Sequence, residues 1–139
     1  MAVTLRDFMT GDDVLTVQPT ATLASVARSM RDRNVGAAVV VDDRGAVAGI
    51  FTERDLLRAV AENRDPNEDA VQSHMTANPI TLPSDHAPSE AAQIMSERKF
   101  RHIPVMDEGR LVGIVSIRDL VGAGLRIQPA DAHMGTDFP

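Results

Sequence analysis

The sequence predicts an α/β (α+β) fold of two tandem repeats, each β-α-β-β-α, packed sheet to sheet about a pseudo-two-fold axis. Three observations carry that expectation. Leu23, Val26, Ala27 and Met30 return as Pro88, Ala91, Ala92 and Met95, and the same displacement of 65 residues carries Val40 onto Val105 and Asp42 onto Asp107. The run Gly-Ile-Phe-Thr-Glu-Arg-Asp-Leu at 49–56 returns as Gly-Ile-Val-Ser-Ile-Arg-Asp-Leu at 113–120, one residue having been lost from the second copy. With 139 residues, the chain suits one compact domain or two small repeats sharing a core. A copy of about 60 residues buries too little surface to be secure alone. The clefts between copies then come in pairs.

Repeat 1 spans 5–64, a linker 65–72, repeat 2 73–126 and a flexible tail 127–139. Each copy opens on a Met-Thr lead-in, Met9-Thr10 or Met75-Thr76. Leu15 to Val17 reads as a short first strand. Pro19 and a threonine pair then precede a helix whose apolar residues recur at i, i+3, i+4 and i+7. Ala37 to Val41 is an apolar run too short for a helix, Asp42-Asp43-Arg44-Gly45 is hairpin chemistry, and Ala46 to Phe51 returns as the partner strand. The second copy repeats the order with Ile103 to Met106, Glu108-Gly109 and Leu111 to Val115. Pro104 cannot donate to a ladder, so it belongs at a strand start or on an edge. Asp65-Pro66-Asn67 marks a turn in the polar linker.

Composition removes several function classes. Apolar residues make up 43% and charged residues 24%, as in an ordinary globular protein, and no apolar run approaches a membrane span. Fourteen Lys and Arg against twenty Asp and Glu give a net charge of −6, which repels a phosphate polymer and argues against nucleic acid as a partner. The absence of cysteine excludes a disulfide framework, a thiol nucleophile and a Cys-based zinc site. Residues 1–10 lack the pattern of a secretory signal, so the cytoplasm is the expected location.

The repeated Thr52-x-x-Asp55 and Ser116-x-x-Asp119 each follow a strand and open a helix, which is where a capping box belongs. A ligand reading competes with capping. Gly49 and Gly113, three residues earlier, allow another group to approach closely, and a helix start favours an anion. Arg54 and Arg118 lie in the first helical turn, where a cation opposes the dipole unless an anion compensates it. The second copy adds the basic run Arg98-Lys99-Phe100-Arg101-His102. A solvated helix end accounts for Arg98 and Lys99, whereas Arg101 falls at the strand start near Ser116, where a phosphate could lie. Lys99 and His102 are weaker phosphate candidates.

Met-Thr lead-ins, Arg101-His102-Ile103-Pro104-Val105 and the doubled Gly-x-x-Thr/Ser-x-x-Asp together resemble a tandem pair of CBS domains, the module named after cystathionine beta-synthase. The resemblance covers roughly 5–123. It implies a pseudo-symmetric disc that dimerises through its helices and binds adenine nucleotides or related adenosyl compounds between repeats. It also implies that Asp55 and Asp119 hold ribose, that Thr52 and Ser116 hold ribose or phosphate, and that basic side chains hold phosphates. The backbone around Thr16, Ala37 and Ala38, and around Thr81, His102 and Ile103, would hold the base. A carboxylate suits a ribose diol because its two oxygens accept from both hydroxyls. With no Trp or Tyr, the chain would have to sandwich adenine between aliphatic residues such as Ile80, Ile103 or Val14. Ala37-Ala38-Val39 departs from His102-Ile103-Pro104 and puts the first site in doubt.

The expected function is a regulatory adenosyl-ligand module, taking AMP, ADP, ATP or S-adenosylmethionine and acting on a partner or on a homodimer. Asp119→Ala should abolish binding with little effect on the fold. No cofactor is obligatory, and any Mg²⁺ would be held by the ligand's phosphates. The rival readings are a protein-interaction subunit with non-binding pockets and an enzyme. His74, His86 and His133 show neither nucleophile nor metal-ligand spacing, and Asp85-His86 reads as a turn and cap.

Overall fold

The computed structural model describes residues 3–11, 14–122 and 124. The tail expected at 127–139 lies outside them. The chain divides into two compact units: Val14–Pro79 form one, the central unit, and Met1–Asp13 together with Ile80–Pro139 form the other, the split unit.

In the central unit β1 (Thr16–Val17), α1 (Leu23–Arg33), β2 (Ala37–Val41), β3 (Val47–Thr52), α2 (Glu53–Ala61) and β4 (Thr76–Ala77) follow one another. Its sheet has the order β1-β2-β3-β4, with β1 parallel to β2 and the other pairs antiparallel. The Thr22 hydroxyl caps α1 by accepting from the Ser25 N–H at 3.2 Å. Leu23, Val26 and Met30 line the buried face. Asn34, in the left-handed region at φ 54°, ends the helix. The Asp42 carboxylate accepts from the N–H groups of Arg44 and Ala46, and Gly45 takes φ 79°, which closes the β2–β3 turn.

Ala38, Val40 and Phe51 pack with the helices around Leu23, Val26, Ala59 and Val71. Strand alternation turns Ala37, Val39 and Ile50 to the other face of the sheet, where they are also buried. The polar 62–72 stretch is docked. Asp65 organises the expected turn by accepting from the Asn67 N–H, and the carbonyls of Asp69 and Pro66 accept from Leu23 and Ala24 at 3.0 and 2.8 Å. These bonds satisfy first-turn amides that α1 itself cannot pair.

The split unit contains α3 (Pro88–Arg98), β5 (His102–Asp107), β6 (Arg110–Ser116) and α4 (Ile117–Gly122). β5 and β6 form an antiparallel hairpin, and the flanking strands of the central unit's sheet survive here only as single-residue bridges, Leu82 to Val105 and Thr10 to Ile114. Pro104 explains the first loss. In the central unit the Val39 N–H donates to the Leu15 carbonyl at 2.9 Å. The equivalent residues are Pro104 and Ile80, and proline has no N–H to give. Pro104 thus sits within β5, with its missing donor turned away from β6 towards Leu82, which donates to its carbonyl.

Lys99 occupies the position of Asn34, at φ 59° beyond α3. A β-carbon is unfavourable there, so Lys99→Gly should raise stability by about 0.5–1 kcal/mol in urea unfolding. An unchanged midpoint would show that the lysine conformation is unstrained.

Each lead-in opens its repeat in sequence but pairs with the other copy in space: Thr10 bridges to β6 of the second copy, and Thr76 pairs with β3 of the first. Arg6 helps hold the first lead-in. Its guanidinium donates to Ser84 Oγ at 2.9 Å and to Asp107 Oδ2 at 3.1 Å, while Asp107 accepts from the Ser84 N–H at 2.9 Å.

Gly49 and Gly113 are explained by the same exchange. A Cβ on Gly113 would lie 2.7 Å from Met9 Sδ and 2.8 Å from the Thr10 carbonyl, and one on Gly49 would collide with Met75 Sδ and lie 2.7 Å from the Thr76 carbonyl. The group whose close approach these glycines allow is therefore a lead-in, and not a ligand.

Candidate functional site

Each set of expected site residues lies within one unit. In the central unit Ala37 is paired with Thr52, and the Glu53 N–H donates to the Gly36 carbonyl at 3.0 Å. Arg54 and Asp55 follow in the first turn of α2, and Thr16 lies exposed on β1 beside β2. In the split unit His102 is paired with Ser116, and the Ile117 N–H donates to the Arg101 carbonyl at 2.8 Å. This bond fixes Arg101 beside the strand end that carries Ser116, as its place in the sequence suggested. Arg118 and Asp119 follow in the first turn of α4, with Arg118 exposed. Ile80 and Thr81 lead into the Leu82 bridge. Lys99 is an exposed helix end.

Both repeated motifs are capping pairs. The Thr52 N–H donates to Asp55 Oδ2 at 2.9 Å, and the Asp55 N–H donates back to Thr52 Oγ1 at 3.3 Å. The Ser116 N–H donates to Asp119 Oδ2 at 2.9 Å, and the Asp119 N–H to Ser116 Oγ at 3.0 Å. The cap uses Oδ2 of each carboxylate, and Oδ1 takes no part in it. Asp119 therefore contributes to the fold, contrary to the expectation that Asp119→Ala would hardly affect it. Loss of such a cap costs about 0.5–2 kcal/mol.

The electrostatics differ between the units. Burial raises the Asp55 carboxyl above the usual carboxylate range, opposed by the Thr52 hydrogen bonds and by Arg58 and Arg54. Arg58 reaches Asp55 Oδ1 only at 3.9 Å. Further donors to this carboxylate would favour its charged form. Arg54 already takes part in an interaction of the fold, so its place in the first turn is no sign of a missing anion.

His102 is the group whose state the sequence concealed. Burial, with Arg101 and Arg118 adding to it and Asp119 opposing, lowers its pKa from 6.5 to about 4. The ring is neutral at pH 7 and is no phosphate-binding cation there. Ile103 changes role too: its side chain is fully buried in the core with Val105, Val115 and Leu120. It cannot sandwich a base, and only its backbone remains for one. Ala38 is likewise a core residue, whereas Ile80 and Val14 are only partly buried.

The other described histidines have structural partners. His74 Nε2 lies 2.8 Å from Asp69 Oδ2, which Arg64 also holds at 2.7 Å, and His86 Nδ1 lies 2.8 Å from Glu90 Oε2. Among the described residues no three His, Cys, Asp or Glu side chains group to hold a metal, and no helix is long and apolar enough to cross a membrane.

The CBS domain family model matches residues 5–62 and again 70–126. An uncharacterised 17.7 kDa protein of Acidianus ambivalens is 39% identical over 130 residues, covering 88% of this chain and 78% of its own length. Against a CBS domain-containing protein of Arabidopsis thaliana, also 39% identical, the chain spans only 23% of the relative's length.

A crystal structure of a CBS-domain containing protein from Agrobacterium tumefaciens superposes with a TM-score of 0.82 at 38% identity, covering 90% of this chain and 96% of that one. Two further structures at 26% identity carry ligands. The CBS pair of protein MJ0100, with 5'-methylthioadenosine and S-adenosylmethionine, has a TM-score of 0.80 over 88% of this chain and all of that one. CBSX2 with AMP has a TM-score of 0.76 over 88% of this chain and 96% of that one. CBS-domain proteins are generally regulatory, and no catalytic family is indicated. Two matched copies in order, on a sheet-and-helix scaffold shared with solved CBS pairs, make the chain a member of the CBS-domain family with two CBS domains in tandem.

Proposed function

We propose that this protein is a regulatory module that binds an adenosyl ligand, an adenine nucleotide or S-adenosylmethionine, at the Ser116–Asp119 strand end and more weakly at Thr52–Asp55. The observation that carries the reading is the paired geometry of Asp55 and Asp119. Each is anchored at a strand end through Oδ2 to a backbone amide and has Oδ1 outside the cap. Ribose hydroxyls would donate to such an anchored carboxylate with little side-chain ordering left to lose. The liganded CBS pairs of similar fold support the ligand class. Ala37 in place of His102 makes the first site the plainer of the two.

Binding would regulate through the ligand's different affinity for two states of the protein or of its assembly. A homodimer is supported by apolar surface left open on the helices: Leu57 and Val60 on α2 are 53% and 60% exposed, and Val121 on α4 is 51% exposed. Regulation of a separate protein is the other route, and Mg²⁺ would accompany the phosphates.

The test is a thermal-shift panel of adenosine, AMP, ADP, ATP, S-adenosylmethionine and GTP, followed by calorimetry on Asp119→Asn. Asparagine keeps an acceptor for the Ser116 N–H but loses the charge. At about 100 times its dissociation constant a ligand adds roughly 2.7 kcal/mol of stability. Adenine compounds should raise the midpoint where GTP does not, and Asp119→Asn should weaken them at least tenfold. Undiminished affinity would remove ribose from Asp119, and a panel with no shift would favour the protein-interaction reading.

A further inference from the structure

Among the described residues, one buried side-chain nitrogen or oxygen lacks a hydrogen-bond partner: Nδ1 of His102. An unpaired buried polar atom costs about 1–3 kcal/mol, and native folds rarely tolerate it without a reason. Nothing about the strand demands histidine here, since the equivalent position in the central unit is the small, apolar and buried Ala37. Strand alternation puts the ring on the face opposite Ile103 and Val105, which fill the core. It stands at the end of β5 opposite Ser116, within the field of Asp119. The charged groups acting on it are Arg101, Arg118 and Asp119.

Chemistry narrows what the missing partner is. A neutral imidazole donates from one nitrogen and accepts at the other, which matches a hydroxyl or a heterocyclic nitrogen at both roles, whereas a phosphate can use only its N–H and gains no charge attraction from it. Two arginines flank it, Arg101 in sequence and Arg118 across the hairpin, and any charge attraction for a phosphate is theirs. We propose that Nδ1 of His102 forms a direct hydrogen bond to the nucleoside half of an adenosyl ligand in the split unit. This bond makes the split-unit site tighter than the one around Ala37. The inference rests on the adenosyl reading above and sharpens it from a ligand class to an atom.

Calorimetric titration of adenosine and of ATP at pH 7.5 into wild type and His102→Phe tests it. Phenylalanine keeps a planar ring and removes both nitrogens. Adenosine and ATP should lose affinity alike, by about tenfold, while the ligand-free variant melts no lower than wild type. A loss confined to ATP would assign the ring to phosphate and overturn the proposal. Equal affinity in variant and wild type would overturn it too, leaving the adenosyl reading intact.

If wild type binds neither ligand, the adenosyl reading itself falls and takes this inference with it. Side-chain ¹⁵N spectra of wild type provide a readout that needs no substitution: adenosine should perturb Nδ1 of His102 more than Nε2. An unmoved Nδ1 under saturating adenosine would also overturn the assignment.

Discussion

Acidifying the protein from pH 7 to pH 4 is expected to remove about 3 kcal/mol of stability through His102 alone. In the unfolded chain this histidine takes a proton near 6.5, whereas in the fold it resists protonation down to about 4. Above 6.5 it is neutral in both states and its contribution is complete. Between 6.5 and 4 the unfolded state binds a proton that the folded state refuses, so stability falls steadily, and below 4 the loss levels off.

Other carboxylates act elsewhere on the pH scale or in the opposite sense. Ser84 and Arg6 hold Asp107 below the usual range, and His74 and Arg64 do the same for Asp69, so their contributions persist until the pH falls below 3.8. Asp55, raised by burial, is more readily protonated folded than unfolded and trims the loss as the pH nears its own range. Urea unfolding of wild type and His102→Phe across pH 7 to 4 isolates the histidine. The variant should lose much less stability over the interval, and parallel curves would show that the imidazole is protonated in the fold.

Gly113→Val is expected to detach the first lead-in from the hairpin and cost about 2–3 kcal/mol. The new side chain starts 2.7 Å from Met9 Sδ and 2.8 Å from the Thr10 carbonyl. The methionine sulfur is the end of a flexible chain and can swing aside. The carbonyl belongs to a residue whose N–H and C=O both pair with Ile114 at 2.9 Å, so it can retreat only by breaking that bridge. The amides of Thr10 and Ile114 should then exchange hydrogen faster in the variant, although they lie about 100 residues apart in sequence.

Combining Gly113→Val with Met9→Ala should recover only the part of the loss due to the sulfur. Complete recovery would show that the backbone contact is soft. Gly49→Val tests the equivalent contact with Met75-Thr76 in the central unit and should show a similar loss.

These glycines show what a sequence can and cannot disclose. The doubled Gly-x-x-Thr/Ser-x-x-Asp was legible at once, and so was its position between a strand and a helix, because capping is local and obeys a three-residue spacing. The partner of each glycine was not legible. Met75 is 26 residues from Gly49, Met9 is 104 from Gly113, and no periodicity links them.

The core face of α1 was readable from Leu23, Val26 and Met30. Ile103 was misjudged as a lining residue because a strand start reads the same whether its side chain points into the core or away from it. The neutrality of His102 depends on burial by groups distant in sequence, and in a basic run it passes for a cation. Pro104 was placed rightly on an edge, but that it would shorten a neighbouring strand to one bridge followed only from the register.

The exchange of lead-ins has a consequence for how the chain is made. The central unit is contiguous and can close as soon as residue 79 has emerged from the ribosome. The segment 3–11 must wait for residues 110–116, at least roughly 5 s later at ordinary elongation rates. During that interval Leu5, Phe8 and Met9, which later pack in the split unit, have no hydrophobic surface of their own to cover. Nascent chains are therefore exposed to misassociation at this segment during synthesis. A bulky fusion at the amino terminus should slow the appearance of folded protein more than the same fusion at the carboxyl terminus.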